Sequence, residues 1–154
     1  MSTGFLTFRP WFRWVLPLSV FFSAAPAMAQ CPNNNTQTGS TITVPCPGTW
    51  SPAPCVRGGR YVVVNVTIGN SYTFATCGGN VYDTYMTVYT SGGTLVGFSD
   101  DACGTQSVVY WTATFTGQVR VLLDRGTQCN STNSNTCTAI YIPCTNAAPA
   151  NDLI

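Results

Sequence analysis

The amino-acid sequence predicts an all-β fold in which two antiparallel sheets, with about eight strands in total, pack face to face as a β-sandwich. Beyond residue 60, short runs of β-branched and aromatic residues alternate with glycine-rich turns. No stretch has a helical period of useful length. All eight cysteines follow residue 30, and an even count in an exported chain predicts that disulfides staple the sandwich.

The first 29 residues have the three parts of a secretory signal peptide. Arg9 and Arg13 supply positive charge, residues 14–25 form an apolar run, and Ala27-Met28-Ala29 is a small-residue cleavage site. The apolar run is shorter than the roughly 20 residues that span a bilayer. We therefore predict a secreted or cell-surface protein without a stable membrane span.

The rest of the chain divides into three predicted regions. Residues 30–59 form a segment rich in cysteine and proline with one short strand, residues 60–144 form the sandwich core, and residues 145–154 form a linker to a downstream domain of the same polypeptide. A frayed natural terminus is the alternative for the last region. The expected strands are Thr41–Val44, Tyr61–Ile68, Ser71–Thr76, Thr84–Thr90, Thr94–Ser99, Ser107–Phe115, Gln118–Asp124 and Thr138–Ile142.

Alternation along these strands predicts which side chains face the core, because successive side chains of a strand point to opposite faces. A sheet with one apolar face must bury that face against a second layer. The predicted inner residues are Val62, Val64, Val66, Ile68, Met86, Val88, Val109, Trp111, Ala113, Phe115, Val119, Val121 and Leu123.

Cysteine spacing favours disulfides over a metal site. No two cysteines are separated by only two residues and histidine is absent, so no zinc site is expected. Eight cysteines allow many pairings. The preferred ones are the short loops Cys46–Cys55 and Cys129–Cys137, together with Cys77–Cys103.

Charged residues are scarce, and this scarcity excludes most catalytic chemistry. The chain has no lysine, glutamate or histidine, so its six cations are arginines and its five anions are aspartates. Serine–histidine triads and P-loop lysines cannot be built from these residues, and four dispersed arginines in the mature chain do not make a phosphate-binding surface. We therefore predict no enzyme, no nucleotide cofactor and no nucleic-acid partner. The enzymatic alternatives are a hydrolase fragment whose catalytic domain lies downstream, or a glycosidase using Asp83 with Asp100 or Asp101.

Three motifs in the central segment carry a family resemblance. They read G-x-x-Y-x-F-x-T-C from Gly69, D-T-x-M-T-V-Y from Asp83 and D-D-x-C-G-x-Q-S from Asp100. As a set, over residues 60–125, they resemble the β-sandwich modules of bacterial secreted proteins related to the pre-peptidase C-terminal domain, with a looser likeness to CUB modules. The resemblance implies a jelly-roll-like sandwich, export, and a place beside catalytic, adhesive or sorting domains. Pro149-Ala150-Asn151-Asp152 resembles the start of a following copy of such a module.

Asp83, Asp100 and Asp101 are the candidate metal ligands. Asp83 precedes one predicted strand, and Asp100 and Asp101 follow another. We therefore hypothesise that their loops meet at one rim and hold calcium, with backbone carbonyls and Asn80 as further donors. Oxygen ligands from several carboxylates suit this hard cation, and the resemblance implies calcium at acidic loops. The alternative is that each aspartate caps a turn through nearby amides.

Tyrosines on two predicted strands form the candidate ligand-binding surface. Tyr85 and Tyr89 share one side of their strand, and Tyr110 lies on the side of its own strand opposite the predicted core. Aromatic faces stack on sugar rings and supply rigid contact area, so we predict an extracellular glycan or protein as partner. Two alternatives stay open: a solvent face rich in strand-favouring residues, and a structural spacer that binds nothing.

Overall fold

The computed structural model describes Met1 and residues 31–50, 55–78, 82–126, 129 and 136–146. The predicted signal peptide beyond Met1 and the predicted linker beyond residue 146 lie outside the described residues. Within the described ranges the chain forms ten strands and no helix. The strands are β1 (Thr36–Gln37), β2 (Ile42–Thr43), β3 (Gly48–Trp50), β4 (Arg60–Val66), β5 (Ser71–Ala75), β6 (Thr84–Thr90), β7 (Leu95–Asp100), β8 (Val108–Thr112), β9 (Gly117–Arg125) and β10 (Ile142–Thr145).

The strands form two sheets, which confirms the predicted β-sandwich. The first sheet has the order β1-β4-β9-β6-β7, with β2 also paired to β4, and the second has the order β3-β10-β5-β8. Pairing is antiparallel except that β1 and β2 run parallel to β4. The N-terminal segment therefore contains three strands and not the single strand predicted. Strands of two or three residues are too short to show alternation in the sequence.

The core lies between the sheets and consists largely of the predicted inner residues. Ile68 is the exception, because it is 61% exposed. β4 ends at Val66, and Ile68 follows in the turn to β5, where alternation no longer applies. Trp111 and Phe115 pack against the core while only partly buried. The buried inner residues are Val62, Val64, Val66, Met86, Val88, Val109, Ala113, Val119, Val121 and Leu123.

The last strand is displaced from its predicted position. Thr138 and Tyr141 form isolated bridges, whereas the strand itself is β10, Ile142–Thr145. Proline cannot donate to a sheet ladder, so a strand that contains Pro143 is not expected from local pattern alone. In the structure Pro143 lies opposite Thr49 of β3, and the strand continues past it to pair with β5.

Four disulfides link the described cysteines: Cys31–Cys129, Cys46–Cys144, Cys55–Cys137 and Cys77–Cys103. The predicted Cys77–Cys103 pairing is present, but the predicted short loops Cys46–Cys55 and Cys129–Cys137 are wrong. The reason is that the N-terminal segment lies beside the C-terminal one: β3 pairs with β10, and Val56 bridges Thr138. Each of those cysteines therefore meets a partner that is distant in sequence.

Candidate functional site

Three carboxylates converge at one end of the first sheet. Asp83 immediately precedes β6, Asp100 is the last residue of β7, and Asp101 follows it. Because β6 and β7 are antiparallel with Tyr85 opposite Asp100, the start of one strand lies beside the end of the other. One carboxylate oxygen from each aspartate lies within 4.8 Å of the others. We call these three residues the acidic rim.

The backbone around the acidic rim is held by several contacts. The Gly126 amide donates to the Asp83 carbonyl at 2.8 Å. Gly126 has a φ of 52°, and a Cβ there would lie 3.2 Å from Asp83 Oδ2, so glycine is favoured at this position. On the other side, Gln106 Nε2 donates to the Tyr82 carbonyl at 2.7 Å. Sequence reasoning missed both Gly126 and Gln106, since their role depends on contacts across the sheet.

The aspartates of the rim repel one another. Burial raises the pKa of Asp100, the charges of Asp101 and Asp83 raise it further, and a hydrogen bond from the Asp101 backbone opposes the shift. Among the described residues, none of the three forms an ion pair. A donor set of carboxylate oxygens fits a hard divalent cation such as calcium, which would offset this repulsion. Asn80, the further donor suggested by the sequence, lies outside the described residues.

The predicted tyrosine surface is not assembled as expected. Tyr85 and Tyr89 share the outer face of the first sheet, but Tyr85 is only 3% exposed and stacks on Phe98 with ring centroids 6.3 Å apart. The Tyr89 hydroxyl donates to the Cys31 carbonyl at 2.8 Å. Tyr110 lies on β8 of the second sheet, on the opposite side of the sandwich. The three tyrosines therefore do not form one exposed surface.

The N-terminal segment crosses part of the outer face of the first sheet. Besides the Cys31 contact with β6, Asn33 Oδ1 accepts from Arg120 of β9 at 3.4 Å. Asn35 Nδ2 donates to Asp124 Oδ1 at 3.2 Å, and Asp124 is fully buried. We call residues 31–37 the N-terminal strap. Alternation placed the covered tyrosines on the correct side of β6 but carries no information about what packs on that side.

The outer face of the second sheet remains open around Tyr110. Tyr110 is 78% exposed and lies opposite Thr73 of β5. Beside this pair, the hydroxyl oxygens of Ser71 and Thr112 are 2.8 Å apart and hydrogen-bonded. The strands of this sheet, GTW, IPCT, SYTFA and VVYWT, contain no charged residue. We call Ser71, Thr73, Tyr110 and Thr112 the hydroxyl face.

The described residues include no helix that is long and apolar enough to cross a bilayer. Four disulfides are typical of proteins that fold in an oxidising compartment. Fold and site together define a disulfide-stapled β-sandwich module with an acidic rim at one end.

Comparison with known proteins assigns this module to a family. Residues 52–146 match the family model described as "Domain of unknown function (DUF8695)". The match covers more than half of the chain, and the protein belongs to that family. No curated protein matches the chain. A similar solved structure is the pre-peptidase C-terminal domain of a collagenase from Bacillus anthracis, with 11% identity, a TM-score of 0.46, and coverage of 73% of this chain and 99% of that chain. This domain is of the type that the sequence motifs resemble.

Proposed function

We propose that the chain is a non-catalytic extracellular module that binds a neutral glycan through the hydroxyl face. The observation that carries the proposal is Tyr110, an aromatic residue that is 78% exposed in the middle of a strand. An exposed aromatic ring within a sheet offers a rigid platform on which a sugar ring can stack. Thr73, directly across the sheet, places a hydroxyl beside this platform.

The composition of the hydroxyl face favours a neutral ligand. Hydroxyl groups donate and accept hydrogen bonds, which matches the hydroxyls of a sugar. The absence of charge from the four strands gives no attraction for an acidic or basic partner. An open sheet face suits an extended polysaccharide better than a small molecule, because small ligands are bound in concave pockets.

The residue inventory supports a binding role over a catalytic one. Without lysine, glutamate or histidine, the described site has only the acidic rim to supply an acid or base. An exported location follows from the predicted signal peptide and is consistent with the four disulfides.

The acidic rim takes calcium in this proposal. The protein ligands would be Asp83, Asp100 and Asp101. The cation would attract all three carboxylates and so offset the repulsion between them. Its contribution is to the stability of the loops between β7 and β8 and before β6, and not to contact with the glycan. Turn capping by the same aspartates is the competing explanation.

Glycan binding is tested with the mature domain and insoluble cellulose, chitin and starch. We expect Tyr110→Ala to abolish co-sedimentation with whichever of these polysaccharides the wild type binds. Tyr110→Phe should retain most of the binding, because stacking needs the aromatic ring. Phe98→Ala is the matched control, since it removes an exposed aromatic from the opposite sheet. Failure to bind any neutral polysaccharide, or equal loss in the Phe98 variant, would favour the structural spacer.

Calcium binding is tested by titration calorimetry and thermal melting of the chelator-treated domain. We expect saturable heat and a raised melting temperature at up to about millimolar calcium, both lost in Asp101→Asn. Asp124→Asn is a poor comparison because that carboxylate is buried under the strap. Asp152→Asn, which removes the same charge from the predicted linker, is the matched control. No heat and no melting shift at that concentration would leave turn capping as the role of the aspartates.

A further inference from the structure

A pocket of about 400 Å³ lies beside the start of β4, away from the hydroxyl face. Its described lining residues are Thr38, Cys55, Arg57 and Arg60. Two of the four arginines that follow the predicted signal peptide thus face one cavity. The described lining contains no aliphatic or aromatic side chain, so the pocket suits a hydrophilic ligand.

The backbone that carries the two guanidinium groups is fixed on both sides. Arg60 is the first residue of β4 and lies opposite Leu123 of β9. The Thr38 amide donates to the Tyr61 carbonyl at 2.8 Å, which holds the third lining residue against the same strand. Arg57 lies between the Val56 bridge to Thr138 and the turn before β4, close to the Cys55–Cys137 disulfide. A site on fixed backbone loses little conformational entropy when a ligand binds.

Neither guanidinium is paired within the described part of the chain. Arg57 and Arg60 form no ion pair there, whereas Arg120 lies over the Tyr61 ring at 5.4 Å. The described carboxylates are placed elsewhere: three form the acidic rim, and Asp124 is buried beneath the strap. Two arginines without an ion pair in a polar pocket therefore form a positive site that has no counter-ion among the described residues.

We propose that this pocket binds the carboxylate of an acidic sugar, as in a uronic-acid glycan. A guanidinium presents a planar fork of donors that matches a carboxylate bidentately. The Thr38 hydroxyl adds a donor or acceptor for a sugar hydroxyl. The volume falls within the range of about 300–1,000 Å³ that is usual for small-molecule pockets, which leaves room for a sugar ring beside the carboxylate. This site is independent of the hydroxyl face and of calcium.

The test is titration of the mature domain with tri-galacturonate at low ionic strength. We expect saturable binding that weakens about tenfold or more in Arg57→Gln and in Arg60→Gln, since each removes one charged fork. Arg57→Lys keeps the charge but loses the fork and should also bind more weakly. Arg125→Gln is the matched control, because it removes one exposed arginine outside the pocket, and its affinity should equal that of the wild type. If circular dichroism shows that Arg60→Gln does not fold, the test relies on Arg57→Gln, because Arg57 is an exposed loop residue.

Three further ligands distinguish the chemistry of the site. Neutral maltotriose should not bind the pocket, and inorganic sulfate and tri-glutamate should bind more weakly than tri-galacturonate. Equal affinity for sulfate or tri-glutamate, absence of saturable binding, or the same loss in Arg125→Gln would each overturn the proposal. Tyr110→Ala should bind tri-galacturonate like the wild type, so failure of the hydroxyl-face proposal and failure of this one are separable.

Discussion

The surroundings of Asp100 make the stability of the metal-free fold depend on pH. Burial is the largest cause of its raised pKa, followed by the charges of Asp101 and Asp83. A carboxyl with a raised pKa in the folded state binds protons more tightly there than in the unfolded chain. Its ionisation therefore destabilises the metal-free fold as the pH rises above the usual carboxyl range.

Asp100→Asn should remove this penalty. In the presence of a chelator, we expect the variant to be more stable than the wild type at about pH 7, with the difference shrinking toward about pH 2, where Asp100 is protonated in both the folded and the unfolded state. Thermal melting at several pH values measures this. A stability difference that stays constant with pH would contradict the assigned cause.

Gln106 is the buried side chain that ties the loop after β7 to the segment before β6. Its Nε2 donates to the carbonyls of Tyr82 at 2.7 Å and Thr105 at 3.1 Å, and the residue is 2% exposed. Gln106→Ala should lower the free energy of unfolding by about 2 kcal/mol, because it leaves a buried carbonyl unsatisfied. Urea denaturation measures the change. Gln118→Ala, which loses only an exposed bond to Asn65, should cost much less.

Among the elements of the fold, the N-terminal strap decides what the first sheet exposes. It crosses from Tyr89 on β6 to the edge of β4, and the Cys31–Cys129 disulfide anchors its start. After Cys31 and Pro32 its residues are polar, so they carry no apolar pattern that could have predicted a covering role. The strap is held by hydrogen bonds to β6 and β9 and by the pairing of β1 with β4.

Replacing Cys31 and Cys129 together by alanine should loosen the strap. We expect tetranitromethane to modify Tyr85 and Tyr89 faster in this variant, while the rate at Tyr110, already 78% exposed, stays the same. Peptide mapping of the nitrated protein measures all three sites. Unchanged nitration of Tyr85 and Tyr89 would show that the strap stays in place without its disulfide.

For the molecule as a whole, the disulfides join the N-terminal and C-terminal parts of the chain. Three of the four connect residues 31–55 with residues 129–144. Cross-links of this kind lower the conformational entropy of the unfolded chain. They complement a core built mainly of valines, in which the chain ends contribute Ile42, Ile140 and Ile142.

Cys46→Ala combined with Cys144→Ala tests this global role. Cys55–Cys137 already holds the neighbouring segments together, so the loop that Cys46–Cys144 closes beyond it is short. We expect a loss of about 3 kcal/mol in the free energy of unfolding, measured by urea denaturation. Loss of calcium binding, or of glycan binding at the hydroxyl face, is not expected in the still-folded variant, since neither the acidic rim nor the hydroxyl face includes Cys46 or Cys144. A loss well below about 1 kcal/mol would contradict this role.

Local patterns predicted the parts of the fold that depend on a few neighbouring residues. β6 was predicted with the bounds Thr84–Thr90 that the structure has. The three aspartates were expected to meet because Asp83 precedes one predicted strand and Asp100 and Asp101 follow another, and their carboxylates do converge. Two local predictions failed. Ile68 is exposed because it lies in a turn, where alternation does not apply, and β10 continues past Pro143 because it pairs with β3.

The sequence by itself determined the fold class, the inner face of each main strand and the set of chemistries the chain lacks, since composition and two-residue alternation are local properties. Only the tertiary structure decided that Tyr85 is covered while Tyr110 is open, and that Arg57 and Arg60 face one pocket. It also decided that Cys31 pairs with Cys129 across a sequence separation of 98. These features depend on contacts between segments that are distant in the sequence, and no local period encodes which of those segments meet.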